Sequence, residues 1–404
     1  MVDKDFEEIT AADLLKLVKE REPEGRRLEY KRELPGRTDR DKKEFLADIS
    51  AFANAGGGDV IYGIEESDGV ASAANGLSIV NPDDEILRIQ NMVNNGLDPR
   101  VMGLRIRAVV GLPSGPAILV RVPKSWNAPH MVRTSDSRFY VRSNAGKHAM
   151  DVREIRAAFD GALAVTERAQ RFLAERVGQI IADETPVPLS RRARMILHLL
   201  PLESFEPGRM VDLAAVEKMS GYIQGANQRY GRYNFNGRLH FGPYEDGRES
   251  IGYTQVFKNG TIEFVDSSSF DEFDGVSKRP FGSEKEVVPW IRAEILQPLA
   301  ISAMMNCLSA TTTLGIGPPY YVLLTLVGVK GYRIFDRPTM EFPDSVKDVH
   351  RIELDQLSFP ELLVDKASVD PKRALRSTFD ALWQASGFAN CLNYNDDGEY
   401  VVRR

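Results

Sequence analysis

The side chains best placed by type and spacing to do chemistry are Glu24, Glu29, Lys31 and Glu66. Glu24 stands in a Pro-Glu-Gly turn, and Glu29 and Lys31 follow on the alternating segment 27–32. Residues two apart on a strand project to one side, so these two share a face. Glu65 and Glu66 leave the end of a second, apolar strand expected over 59–64. Carboxylates converging from two strand ends would bind Mg²⁺ or Mn²⁺ through oxygen, the ligand such hard cations prefer. A metal held there would polarise a phosphodiester and lower the pKa of a bound water. Lys31 would stabilise charge developing on the phosphoryl oxygens. The competing reading is that glutamates flanked by arginines are surface ion pairs, which contribute little.

The elements that must position these groups are legible nearby. Phe45, Ile49 and Phe52 recur at helical spacing, so the segment reads as a helix with a buried face. It should stop at Asn54–Gly58, where glycines permit a left-handed turn and close backbone approach. Thr10–Asp13 resembles a helix start, with Leu14, Leu15 and Val18 on the apolar side. A helix is expected at about 83–95, and strands near 104–110, 116–122 and 138–142.

LEYK at 28–31, followed by ISAFANAGGGDVIYGIEE at 49–66, resembles the core of the Schlafen AlbA-type domain. Arg138–Ser143 resembles that family's closing Y-x-R-x-G-S strand, with Asn144 in place of the usual glycine. The resemblance spans roughly residues 10–160. It implies a mixed sheet with flanking helices and a nuclease trio of two glutamates in an E-x4-E pattern, then an acid after the glycine turn. Residue by residue these are Glu24, Glu29 and Glu66, the last being glutamate where many members carry aspartate. The implied activity is metal-dependent endoribonuclease cleavage of structured RNA such as tRNA. The alternative within the same family is a DNA-binding module without chemistry.

Basic residues crowd 26–43, among them Arg26, Arg27, Lys42 and Lys43. They are either a solvated face or a set of phosphate contacts beside the carboxylates. Arg138, Tyr140 and Arg142 alternate on one strand. They would set a cationic, aromatic face against RNA, unless Tyr140 packs in the core and the arginines lie at an edge. Lys147 and His148 follow and would add a phosphate contact. The glycines at 56–58 follow a helix rather than precede one, so they offer no helix N-terminus to an anion and read as structural. No G-x-x-x-x-G-K-[ST] occurs, so an ATP site has no support.

At 404 residues the chain is too long for one ordinary core. The expected layout is a first domain at 1–161, a connecting helix at 162–185 broken by Pro186 and Pro188, and a second α+β domain at 186–404. There, 195–200 reads as a strand holding a buried His198, and 251–265 as a hairpin turning at Lys258–Gly260. Further on, 287–308 reads as a helix, 320–328 and 351–363 as strands, and 372–385 as a helix. Ser190 and Ser220 lack a His/Asp arrangement for a hydrolase triad. Cys307 and Cys391 are the only cysteines and the histidines show no ligand spacing, so neither disulfides nor zinc are expected. No apolar run approaches a membrane span, and the first residues lack a signal peptide's pattern, so a cytoplasmic protein is expected. Net charge is −6, which gives no long-range attraction to nucleic acid. The resemblance implies two lobes framing one cleft, and LEYK occurs once here, so a homodimer pairing two lobes about a two-fold axis is expected.

Overall fold

The structure is a computed structural model that describes residues 2, 4, 6–125, 127–133, 137–143, 146–190, 192–205, 208–218, 230–243, 249–274, 287–336, 350–365, 368–395 and 397–401. Asn144 and Ser220 lie outside the described residues. Helix and strand contribute almost equally, 34% and 32%, which makes the chain mixed α+β. It divides into compact units at Met1–Glu167 and Arg168–Arg404.

The first unit begins with α1 (Ala11–Glu20), capped by reciprocal bonds between Thr10 and Asp13 as its sequence suggests. Then come β1 (Leu28–Lys31), α2 (Asp39–Ala53), β2 (Gly58–Tyr62), β3 (Ile64–Ser67), β4 (Val70–Ala74), α3 (Pro82–Gly96) and β5 (Leu97–Asp98). The unit continues through β6 (Arg105–Leu112), β7 (Gly115–Val122), β8 (Met131–Val132), β9 (Arg138–Ser143) and β10 (Gly146–Ala149). Its main sheet runs β1–β2–β7–β6, with β1 and β2 parallel and the other pairs antiparallel. A second sheet runs β10–β9–β8–β5.

Alternation along β2 explains why the main sheet needs cover on both faces. Val60 and Tyr62 pack with Phe45, Ile49 and Phe52 of α2 and with Ile89 and Val93 of α3. Ile61 points the other way, toward Leu28, Tyr30, Leu14 and Phe6. α2 ends where two glycines are sterically required. Gly57 has φ 68°, and a Cβ on Gly58 would meet the Phe52 ring at 2.4 Å and the Arg27 carbonyl oxygen at 2.7 Å.

Glu65 and Glu66 do not end the buried strand; they sit in the separate hairpin β3–β4. Gly63, with φ 95°, turns the chain out of β2, and only glycine fits there, because a Cβ would lie 2.9 Å from Gly76 Cα. A short helix after Asp151 and a separate connecting helix were also expected; one continuous helix, α4 (Val152–Ile181), replaces both.

The second unit contains β11 (Arg194–Pro201), α5 (Leu213–Lys218), β12 (Tyr230–Asn234), β13 (Gly237–Pro243), β14 (Ser250–Phe257), β15 (Ile262–Asp266) and β16 (Phe270–Asp274). Beyond these lie β17 (Val287–Arg292), α6 (Ala293–Thr313), β18 (Tyr320–Val327), β19 (Arg333–Phe335), β20 (Gln356–Ser358), β21 (Leu362–Val364), α7 (Pro371–Ala374) and α8 (Arg376–Gln384). Its large sheet runs β12–β13–β14–β15–β11–β18–β20. The helix expected at 287–308 starts later, because the β-branched and aromatic run Val287–Arg292 pairs as β17 with β16 and β19. The strand expected at 351–363 is split around Pro360, which has no N–H for a ladder. His198 is fully buried, with Nε2 2.9 Å from Glu263 Oε2. Glu263 also accepts from Arg176 Nε at 2.8 Å, Arg176 Nη2 at 2.7 Å and the Tyr253 hydroxyl at 2.8 Å. Among the described residues no helix is long and apolar enough to cross a membrane.

Candidate nucleic-acid interface

Glu29 sits in the middle of β1, opposite Val60 of β2, and is buried despite its charge. Strand alternation brings Lys31 back to the same face, where Nζ donates to Glu29 Oε1 at 2.6 Å. Arg142 of β9 donates to the other oxygen and, through Nε, to the Gly25 carbonyl at 2.9 Å. Its guanidinium lies over the Phe52 ring, 4.7 Å from the centroid, so the apolar face of α2 supports the cation. One turn earlier on α2 stands Asp48, also buried. Lys147 of β10 reaches it at 2.6 Å and donates to the Glu44 carbonyl at 3.3 Å. β1, α2, β9 and β10 thus deliver two carboxylates and three cations to one place, a net charge of +1.

Burial alone would raise the Glu29 carboxyl, but the Lys31 hydrogen bond and the Lys31 and Arg142 charges outweigh it and hold the group below its ordinary value. Burial would lower Lys31, yet Glu29 raises it further. Asp48 is pushed up by burial, which Lys147 only partly opposes. Glu24 is likewise raised, chiefly by burial, and the Tyr30 N–H that donates to its Oε1 at 2.7 Å opposes this.

The acids expected to hold a metal are neighbours in charge but not a ligand shell. Glu24 feels both Glu29 and Glu66. Glu29 has cations on both oxygens, and Glu66 Oε2 accepts from the Gly69 N–H of its own hairpin at 2.8 Å. Among the described residues no group of three His, Cys, Asp or Glu side chains is gathered to hold a metal ion. This donor set, as arranged, does not fit Mg²⁺ or Mn²⁺. Glu65 faces elsewhere, accepting from Asn75 Nδ2 at 3.1 Å.

Of the expected phosphate contacts, Arg26, Arg27, Lys42 and Arg138 are exposed and Lys43 is half-buried. Lys42 lies 3.3 Å from Asp39. Arg142 is buried instead of facing outward, and Tyr140 packs against the core beneath α2. His148 is exposed and lies 3.0 Å from Glu154. Asn54 is a staple: it donates to the His130 and Tyr140 carbonyls at 3.1 and 2.9 Å and accepts from the His130 N–H at 2.7 Å. Asp48 was missed by sequence reasoning. The available signal was an acid three residues after Phe45, on the apolar stripe of a helix, where a charge needs a partner.

Residues 24–151 match the family model described as Schlafen, AlbA_2, and the rest of the chain matches none. This match points to a nucleic-acid-related function for that part of the chain. No curated protein matches the chain. The crystal structure of the DIP2311 protein from Corynebacterium diphtheriae is similar at 13% identity and a TM-score of 0.24, over 34% of this chain and 26% of its own. The chain therefore spans about a quarter of that structure's length.

Proposed function

We propose that the first unit, which carries the Schlafen AlbA_2-type segment, is an endoribonuclease acting on structured RNA such as tRNA, with the Glu29 cluster as its reacting centre. The observation that carries this reading is the fixing of Lys31, Arg142 and Lys147 by buried carboxylates. Cations held in a partly dry site cost little to reorganise when negative charge develops on phosphoryl oxygens. Lys31 is the most open of the three, with 35% of its side chain exposed, so an incoming phosphodiester meets it first. Arg26, Arg27, Lys42 and Arg138 would hold the flanking backbone. No step is assigned to a divalent cation, because Glu29 has none of its oxygens free of a protein cation.

That same saturation of Glu29 favours a second reading, a DNA- or RNA-binding module without chemistry. The full chain incubated with total tRNA and with duplex DNA, in Mn²⁺ and in chelator, separates the two. Cleavage by the wild type that is lost in Glu29→Gln and Lys31→Met supports the enzyme. Salt-sensitive binding without cleavage supports the module, and no binding to either nucleic acid at low salt removes both. A homodimer is part of the proposal, since two such faces would frame one cleft. Light scattering should then give twice the 45.2 kDa chain mass.

A further inference from the structure

A cavity of ≈ 480 Å³ opens at the carboxyl ends of the parallel strands β1 and β2, lined among others by Arg32, Gly63, Glu65, Asn75 and Leu77. The crevice outside the carboxyl ends of parallel strands is a recurrent ligand site, and this volume lies in the small-molecule range. Its wall is built in advance. Gly76 N donates to the Gly63 carbonyl at 2.9 Å, and Leu77 N to the Pro116 carbonyl at 2.9 Å. A Cβ on Gly76 would lie 2.1 Å from the Gly115 carbonyl oxygen, so only glycine closes this wall.

We infer that this cavity takes an unstacked guanine base of a bound RNA strand. Glu65 presents a carboxylate to it: Oε1 accepts from Asn75 Nδ2 at 3.1 Å and lies 3.7 Å from Arg32 Nε, while Oε2 has no partner among the described residues. Guanine alone among the four bases offers two adjacent donors, N1–H and the N2 amine, on its Watson–Crick edge. Adenine would set its N1 acceptor against the carboxylate, cytosine its N3, and uracil two carbonyl oxygens flanking a single N–H. Leu77 supplies an apolar wall, and the Arg32 guanidinium, largely exposed, supplies a plane on which a base stacks. Arg32 follows Lys31 directly in the chain, so the cavity opens one residue beyond the proposed phosphate contact. The inference rests on the nucleic-acid reading of this unit.

The test uses the full chain and hairpin RNAs of one stem that differ only in one loop base: G, A, C, U or inosine. Fluorescence anisotropy at fixed salt should show the G loop bound roughly ten-fold to a hundred-fold more tightly than the A loop. Inosine, which lacks the N2 amine, should fall between them. Glu65→Gln, which keeps the shape but places an amide donor against the guanine donors, should bring the G loop down to the affinity of the A loop. Equal binding of all five hairpins, or a preference that survives Glu65→Gln, would overturn the inference and leave the nucleic-acid reading standing. Binding to none of them would overturn both.

Discussion

Replacing Glu29 with glutamine keeps its shape and removes its charge, which isolates the electrostatic role of the cluster. Breaking a buried pair by deleting one partner costs about 3–5 kcal/mol, because the other charge stays in a low-dielectric site. Arg142 would retain the Gly25 carbonyl and the Phe52 ring, and Lys31, with 35% of its side chain exposed, can turn to water. The expected loss is therefore about 2–3 kcal/mol, toward or below the low end of that range. A global unfolding curve would mix the two units. Hydrogen exchange of the full chain is the better assay, read at β1 and α2, where opening free energies are local. Glu66→Gln, at an exposed hairpin position, should change protection there by less than about 0.5 kcal/mol. Unchanged protection of β1 and α2 in Glu29→Gln would refute the claim that the cluster is a buried ion-pair network. Acid should act in the same direction as the mutation. The folded Glu29 carboxyl lies below its unfolded value, so its stabilisation is present above that unfolded value and is lost as pH falls through the folded one.

In the second unit, Glu263 is held at about 2 against an ordinary 4.5, despite full burial, by Arg176 and His198. It should contribute on the order of 3 kcal/mol above pH 5 that disappears on acidification toward pH 2, and Glu263→Gln should flatten the acid-unfolding curve over that window. Lys147→Met leaves Asp48 buried without its cation, so the folded carboxyl rises further; stability should then fall progressively with rising pH, read as lost hydrogen-exchange protection of α2 relative to the wild type at each pH. Gly58→Ala forces a methyl to within 2.4 Å of the Phe52 ring and should cost about 1–3 kcal/mol of local opening free energy, read by hydrogen exchange at α2 and β2.

Much of the first unit was legible because periodicity and turn chemistry agree there. The LEYK strand, the helix carrying Phe45, Ile49 and Phe52, and the glycine stop each answer to a local rule. Glu29 and Lys31 were placed together by strand alternation alone, and they do meet. Glu65 and Glu66 show the limit. Adjacent strand residues face opposite ways, and the register shift between them in β3–β4 re-aims both, which no spacing rule reveals. The burial of Arg142 depends on β9 packing against α2, and its pairing with Glu29 spans 113 positions. Asp48 belongs to no E-x-K or E-x4-E spacing, and its one signal in the sequence is a carboxylate on an apolar helix face. In the second unit, β17 was read as helix because apolar runs do not declare their period when short.

Nucleic acid is proposed to meet this protein at the Glu29 cluster. Ultraviolet cross-linking of the full chain to tRNA, followed by peptide mass spectrometry, tests it most directly. Cross-links should fall within residues 24–48 and 138–150, weaken as salt rises and be reduced in Lys31→Met. Cross-links confined to 168–404, or a pattern in the first unit indifferent to Lys31, would contradict it.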